Sequence, residues 1–414
     1  MSFSQGISGL SAAAANLDTI GNNISNSGTV GFKSAGVTFQ DVYAGSSIGL
    51  GTSVGGIVQN FGQGSVQTSS RPLDLAITDG DGFFRLTSPS GEVVYSRNGQ
   101  FTADKNGFIV NAAGMQLTGH APSANGGVSG GAPTPLQLPS GAMVPNPTSQ
   151  IVSQFNIDAR SSVPGTTPFD PTDSRTYNYS NSVTVFDSLG NPHELASFFV
   201  KTGSNAWDVY ATADGLRVPA LPVAPAAQAT VGSLVFDSNG NIDPTAPAPA
   251  SATMNIAGLS FGNGSSPMNI AINLSGTTQF GATNVVNKLT QDGYTSGTLT
   301  SFAVNDDGTI TGKYSNEQTK LLGQVVLTSF ANPNGLQSMG NNAWSETAAS
   351  GQPLTGDPGA GTKQGALKAG AVESSNVDLT VELVNLIVAQ RSYQANTQTL
   401  KTQDQVMQAL INMR

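Results

Sequence analysis

Residues 376–413 read NVDLTVELVNLIVAQRSYQANTQTLKTQDQVMQALINM, a run with neither glycine nor proline. Leu386, Tyr393, Leu400 and Met407 recur every seven residues, and Leu379, Leu383, Ala389, Leu410 and Ile411 widen the stripe. That period marks one face of a long helix. Ser374, Ser375 and Asn376 offer capping side chains, and Asp378 suits the positive end of the helix. At 1.5 Å per residue the helix is about 50 Å long. Its far tip, Val406 to Met413, is apolar.

The beginning of the chain mirrors its end. Phe3, Ile7, Leu10, Ala14, Leu17, Gly21 and Ile24 step by four and three, again a coiled-coil-like stripe. Ala12 to Ala15 favour helix, whereas Gly6, Gly9 and Gly21 each cost about 1 kcal/mol relative to alanine. Such a helix is marginal alone in water, and its small residues admit close neighbours. Two readings stand for the stripes. Each packs within its own chain, or the stripes pair the two ends and also pack between subunits. A lone two-helix pair leaves apolar surface exposed, which favours assembly.

Everything between reads as β structure. Residues 30–70 carry scattered apolar side chains among many Gly and Ser, so extended chain with little regular structure is expected there. Short strands follow at Phe83–Leu86, Val93–Tyr95, Phe108–Val110 and Met115–Leu117, separated by SPSG, RNGQ, DKNG and NAAG. That spacing fits a small sandwich or barrel. The Gly/Pro-rich stretch Ala121–Pro147 is a long loop or boundary. A second β region starts near Ser149, with strands at Val183–Phe186, Leu195–Val200 and Trp207–Ala211. Val-Phe-Asp-Ser-x-Gly-Asn occurs at 185–191 and again at 235–241, and reads as two strand-then-turn units of Asx type. Ala211–Pro249 is Ala/Pro-rich in parts and is expected on an outer surface. Strands resume at Leu299–Val304, Thr309–Tyr314 and Leu321–Phe330. The expected architecture is mainly β with terminal α-helices, built as nested β-sandwich or barrel domains. Residues 1–30 and 372–414 pair as a coiled-coil-like domain, and 31–71 is an extended linker. Residues 72–148 and 292–365 form one discontinuous β domain, with 149–291 inserted as an outer β domain.

Composition excludes several functions. Of 414 residues, 17 are Lys or Arg and 26 Asp or Glu, for a net charge of −9. With no basic cluster, nucleic-acid binding is disfavoured. No apolar run reaches the roughly 20 residues of a membrane helix, so no membrane insertion is expected. Cysteine is absent, which removes disulfides, thiolate nucleophiles and Cys-ligated metals. The opening MSFSQGISGLSAAAANL has no basic n-region or continuous apolar h-region, so no cleavable secretory signal is expected. Only His120 and His193 could serve a Ser-His-Asp arrangement, and both fall in turn-like sequence. Asp79/Asp81 and Asp306/Asp307 sit beside glycine and read as turns, and Asp237 begins a stretch that lacks the closing Glu of a calcium loop. GLGTSVGG at 49–56 has no following Lys-Ser/Thr and is not a phosphate loop. Neither catalysis nor a cofactor is expected.

ANLDTIGNNISNSGTVGFKSAGVTFQD at 15–41 resembles the N-terminal signature of the bacterial flagellar rod and hook family, and 374–413 resembles its C-terminal partner. Residues 81–119 and 321–344 are similar to the family's shared β domain. VTVFDSLGNPHEL at 183–195 resembles the inserted domain of the hook-type members, which the shorter distal rod proteins lack. The resemblance implies a structural subunit of a self-assembling tubular joint that transmits motor torque. It implies export without a cleavable signal to an extracellular position, through the flagellar type III apparatus. The implied partners are copies of itself, the distal rod protein, the hook-cap protein and the first hook-filament junction protein. Phe3, Ile7, Leu10, Leu17 and Ile24 would then meet neighbours at one end. Leu379, Leu383, Leu386, Tyr393, Leu400, Met407 and Leu410 would do so at the other. A distal rod-type axial protein, a secreted β-rich adhesin and a glycoside hydrolase with paired carboxylates are the competing readings.

Overall fold

The computed structural model describes residues 3–42, 51–123, 126–218, 229–245 and 251–412, apart from the side chain of Leu410. The Ala/Pro-rich pieces at 219–228 and 246–250, the start of the 49–56 glycine run, Met413 and the Leu410 stripe position lie outside that description. The chain forms two compact units. One holds Met1–Ser140, Thr300–Lys313 and Thr319–Arg414, and the other holds Gly141–Leu299 with Tyr314–Gln318.

In the first unit, helix α1 spans Phe3–Ser25 and helix α2 spans Leu379–Asn412. Asp378 caps α2, accepting from the N–H groups of Thr380 (2.9 Å) and Val381 (3.2 Å). The candidate cap Asn376 has other partners, described below. Residues 30–70 depart from the expectation of little regular structure. Strands β1 (Ala35–Asp41) and β2 (Thr52–Gln59) form an antiparallel ribbon in which Val37 faces Ile57 and Phe39 faces Val54. Its β-branched and aromatic pairs prevail over the many glycines and serines.

The β body of this unit is a sheet in which 116–120, 83–87, 93–96 and 343–345 are successive neighbours. Their inward side chains build an aromatic core. Phe83 meets Phe330 (5.9 Å) and Trp344 (5.9 Å) edge-on, and Tyr95 meets Phe330 at 4.8 Å. Phe61, just past β2, packs edge-on against Phe83 and Trp344. Trp344 also donates from Nε1 to Gln59 Oε1 at 2.9 Å. Edge-to-face pairs of this kind add about 0.5–1.5 kcal/mol each beyond area burial. They anchor the segment after the ribbon to the sheet.

The second unit is a sandwich of two five-stranded sheets. In one, 150–158 runs parallel to 268–273 and 278–280 and antiparallel to 285–291. The other is the meander 179–186, 192–203 and 206–213 with 216–218 and 232–235. Alternate residues of both sheets meet in one core, including Phe155, Ile270 and Ile272 against Leu195, Phe199 and Trp207. Trp207 Nε1 finds Gln279 Oε1 at 2.7 Å. Residues 143–146 pair with 294–297 as the chain enters and leaves. Both repeats of the Asp-Ser-x-Gly-Asn turn have one geometry. Asp187 Oδ1 accepts from the N–H groups of Leu189 and Asn191, and Asp237 Oδ1 from those of Asn239 and Asn241. Gly190 and Gly240 take φ of +84° and +80°, which favours glycine.

Candidate assembly surface

The two helices pack antiparallel along a seam of small and polar residues. A Cβ placed on Gly6 would come within 2.9 Å of Leu400 Cδ2, and Gly9 lies equally close to Asn396. At the other end Asn23 Nδ2 donates to Glu382 Oε1 at 3.2 Å. On α2 the seam positions Glu382, Leu386, Ala389, Tyr393, Asn396, Leu400 and Gln403 step by four and three. Leu400 from the sequence stripe packs on Gly6 of the same chain, Leu386 is half-buried on the same row, and Tyr393, 38% exposed, lies at its edge. Ala389, only 3% exposed, fills the alternate position.

On α1 the corresponding row is Gly6, Gly9, Ala13, Asn16, Ile20 and Asn23. It lies one residue away from the apolar stripe picked out in the sequence. Phe3 (58% exposed) and Ile7 (48%) face outward, and Leu10, Leu17 and Ile24 are half-buried on the flank. The physical reason is distance. A seam this close excludes large side chains, so glycine and alanine mark it.

The outer side of α2 carries a second apolar row. Leu379, Val381, Leu383, Val384, Ile387 and Val388 are all exposed, Val388 at 61%. The charge in this stretch, Glu382, turns inward to Asn23. Met407 and Ile411 continue apolar exposure toward the tip. Of the α2 residues expected to meet neighbours, Leu379, Leu383, Tyr393 and Met407 are exposed. Val381, Val384, Ile387 and Val388 were missed because the seven-residue count followed the seam.

Beneath the helix pair lies a joint where both chain ends converge. Asn23, 1% exposed, accepts from Ala35 N–H (2.9 Å) and donates to Ala35 O (2.8 Å). Asn376 Oδ1 accepts from Ser34 N–H, and its Nδ2 donates to Asn60 O and Gly62 O. Glu373 is fully buried and binds Lys33 Nζ at 2.6 Å and Arg97 Nη1 at 3.2 Å. It also accepts from Gly64 N–H at 2.8 Å. Lys33 Nζ donates to Gly62 O, Arg97 Nη2 donates to Gly80 O, and the Arg97 guanidinium lies over the Phe83 ring. Burial, reinforced by Arg97, holds the Lys33 ammonium below its ordinary pKa against the opposing pull of Glu373. Sequence reasoning passed over these residues because Lys33 and Glu373 are far apart along the chain. Charged residues are only 10% of the chain, so a lysine inside the N-terminal signature was the available signal.

Two of the groups considered for catalysis, His193 and Asp307, are tied into the local structure. His120 and His193 lie in strands rather than turns. His193 Nδ1 contacts Asp214 Oδ2 at 2.6 Å and its Nε2 contacts Asp187 Oδ2 at 3.3 Å, while the ring stacks on Phe261. Asp307 is bonded by Thr309 within its own turn. Among the described residues no cluster of three or more His, Cys, Asp or Glu could hold a metal ion, and no helix is long and apolar enough to cross a membrane.

Paired terminal helices with an uncovered apolar face, carried with β units, define a subunit of a structural assembly. Comparison with known proteins specifies which. Residues 4–33 match the family model for the flagella basal body rod protein, and 76–161 the flagellar hook protein FlgE/F/G D1 domain. Residues 156–294 match the flagellar basal body protein FlaE D2 domain, and 368–413 the flagellar basal body rod FlgEFG protein C-terminal. The chain is 47% identical to the flagellar hook protein FlgE of Escherichia coli K12 over all of both chains. It is 46% identical to that of Salmonella typhimurium LT2, also over all of both, and 29% identical to that of Borreliella burgdorferi B31 over 100% of this chain and 99% of the relative. The chain belongs to the flagellar hook protein family. It is a structural, non-enzymatic component of the flagellar hook, serving motility. The crystal structure of Helicobacter pylori flagellar hook protein FlgE2 has the same fold, with TM-score 0.50 and 14% identity over 74% of this chain and 99% of that one.

Proposed function

We propose that the exposed row on α2, together with Phe3 and Ile7 of α1, is the surface through which copies of this chain pack into the hook tube. The carrying observation is the continuous apolar exposure of Leu379 to Val388 on a helix whose opposite face is already paired. Burying one such side chain contributes about 1.5–3 kcal/mol, so a few per subunit hold a polymer together. The half-buried Leu10, Leu17 and Ile24 border this surface, and Leu386, Tyr393 and Leu400 support it from behind by fixing the helix pair. In this reading residues 1–30 with 372–414 are the assembling domain, 31–71 joins it to the β domain of 72–148 and 292–365, and 149–291 is the inserted domain. The subunit leaves the cell through the flagellar type III apparatus and is added beneath the hook cap. It meets the distal rod protein at one end of the tube and the first hook-filament junction protein at the other. Outside the cell the tube acts as a universal joint that carries torque while it bends.

Val388→Asp places a charge in the centre of the row. The expected outcome is a monomer with unchanged melting temperature that neither polymerises nor supports swimming. Val388→Leu, which keeps the position apolar, is the control and should assemble. Normal swimming with Val388→Asp would remove this face from the assembly.

A further inference from the structure

The Glu373 joint contains more positive charge than its one buried carboxylate can match. Lys33 and Arg97 are each no more than 1% exposed and both bind Glu373. Asp81, the further acidic group acting on both cations, is exposed, so water screens it. The two cations are not held equally. Arg97 is fixed to the β body through Gly80 O and the Phe83 ring. Glu373 sits in a strand (371–373) paired with 66–68. Lys33 arrives on the segment that follows α1, which Glu373 also holds through Gly31 N–H to Glu373 O at 2.8 Å.

We propose that Lys33, Glu373 and Arg97 form a charge-tuned latch, in which the second buried cation, Lys33, holds the N-terminal arm near the balance between docked and released. If the N-terminal arm leaves, Glu373 keeps Arg97 and the Gly64 N–H, and the pair stays neutral. If instead the Glu373 strand leaves first, two buried cations face each other with no counter-ion, which is strongly unfavourable. Closure is therefore ordered: the 371–373 strand seats on Arg97 first, and the arm carrying Lys33 and α1 docks second. Docking brings a desolvated ammonium beside a guanidinium, a cost that offsets part of the helix-pair packing. In the polymer, packing from neighbours supplies the remainder, so the arm closes where a subunit is added. This last step rests on the assembly reading above; the ordered opening belongs to the single chain.

The sign of the pH effect follows from the lowered Lys33 pKa in the docked state. The released arm binds the proton more tightly, so docking gains stability as pH rises above the docked value, with the gain complete near the ordinary 10.5. The test uses the full chain. It has no cysteine, so Ser11→Cys on α1 and Ser392→Cys on α2, both exposed, carry a unique dye pair for energy transfer. In dilute monomer the docked fraction should rise between pH 7 and 10. Lys33→Met should raise the docked-to-released ratio at pH 7 by on the order of tenfold and flatten the pH profile. Lys33→Arg keeps an untitratable charge and should also be flat, but released. Glu373→Gln should release the arm at every pH. A Lys33→Met arm that opens, or a wild-type profile flat across this range, overturns the latch and leaves Lys33 an ordinary stabilising ion pair. Because the readout is monomeric, failure of the Val388 surface does not affect it.

Discussion

Asp187 is the residue at which local sequence and unit stability meet. Burial pushes its carboxyl up, but donors from the Asn191 and Asn263 side chains, the Asn191 N–H and His193 outweigh that and hold it well below the usual carboxylate range. A carboxyl depressed on folding stabilises above its unfolded value, and that contribution is lost as pH falls below about 3.8 toward the folded value. The second unit should therefore melt at progressively lower temperature below pH 4. Asp187→Asn should lower its melting temperature at pH 7 and flatten the acid dependence. The amide nitrogen would face the donors of Asn191 and Asn263, and each buried group left unpaired costs about 1–3 kcal/mol. Calorimetry from pH 2 to 7 checks both. The turn that creates this site was legible, because Asp-x-x-Gly carries its own local chemistry. Its further partner Asn263 was not, being supplied by another strand connection. The same holds for Lys33, Arg97 and Glu373, which only the fold brings together.

At the scale of elements, both helices and their pairing were readable, but the α1 side of the seam was not. Periodicity located α1 and α2 because apolar residues repeat along a surface whatever covers them. Counting large side chains picked out the stripe from Phe3 to Ile24, whereas the contact with α2 runs along the glycine row beside it. Close packing selects for small volume, which a hydrophobicity count does not see. The ribbon β1–β2 was missed for the converse reason, since its glycines masked the alternating Val37, Phe39, Val54 and Ile57. A volume change tests the seam directly. Gly6→Leu should drive α1 from Leu400 and destabilise the helix pair by about 1–3 kcal/mol. Adding Leu400→Ala should recover most of that loss, which a double-mutant cycle on helical circular dichroism will read. Additive effects of the two changes would mean that Gly6 and Leu400 do not share a contact.

For the molecule as a whole, the nested order of the chain has a thermodynamic consequence. Each unit owns a core: the Phe83, Tyr95, Phe330 and Trp344 cluster in one, and the Trp207-centred sandwich in the other. The chain enters and leaves the second unit through adjacent hydrogen-bonded segments, with Met143 N–H donating to Gly297 O at 2.7 Å and Asn146 N–H to Tyr294 O at 3.0 Å. A segment whose ends already lie together loses little when cut out. A fragment spanning 141–299 should therefore fold alone and melt cooperatively. It forfeits the Thr298 N–H bond to Ser315 Oγ, the Ser315 N–H bond to Thr298 O and the Asn316 Nδ2 bond to Thr295 O, all near its C-terminal end. Those bonds are exposed, so the melting temperature should fall by only a few degrees, about 1 kcal/mol per bond at most. Near-ultraviolet dichroism from buried Trp207 will report whether the core is native. A molten fragment, with far-ultraviolet signal but no tryptophan band, would show that the sandwich needs the rest of the chain. The hook would then be built from subunits with one cooperative body rather than two.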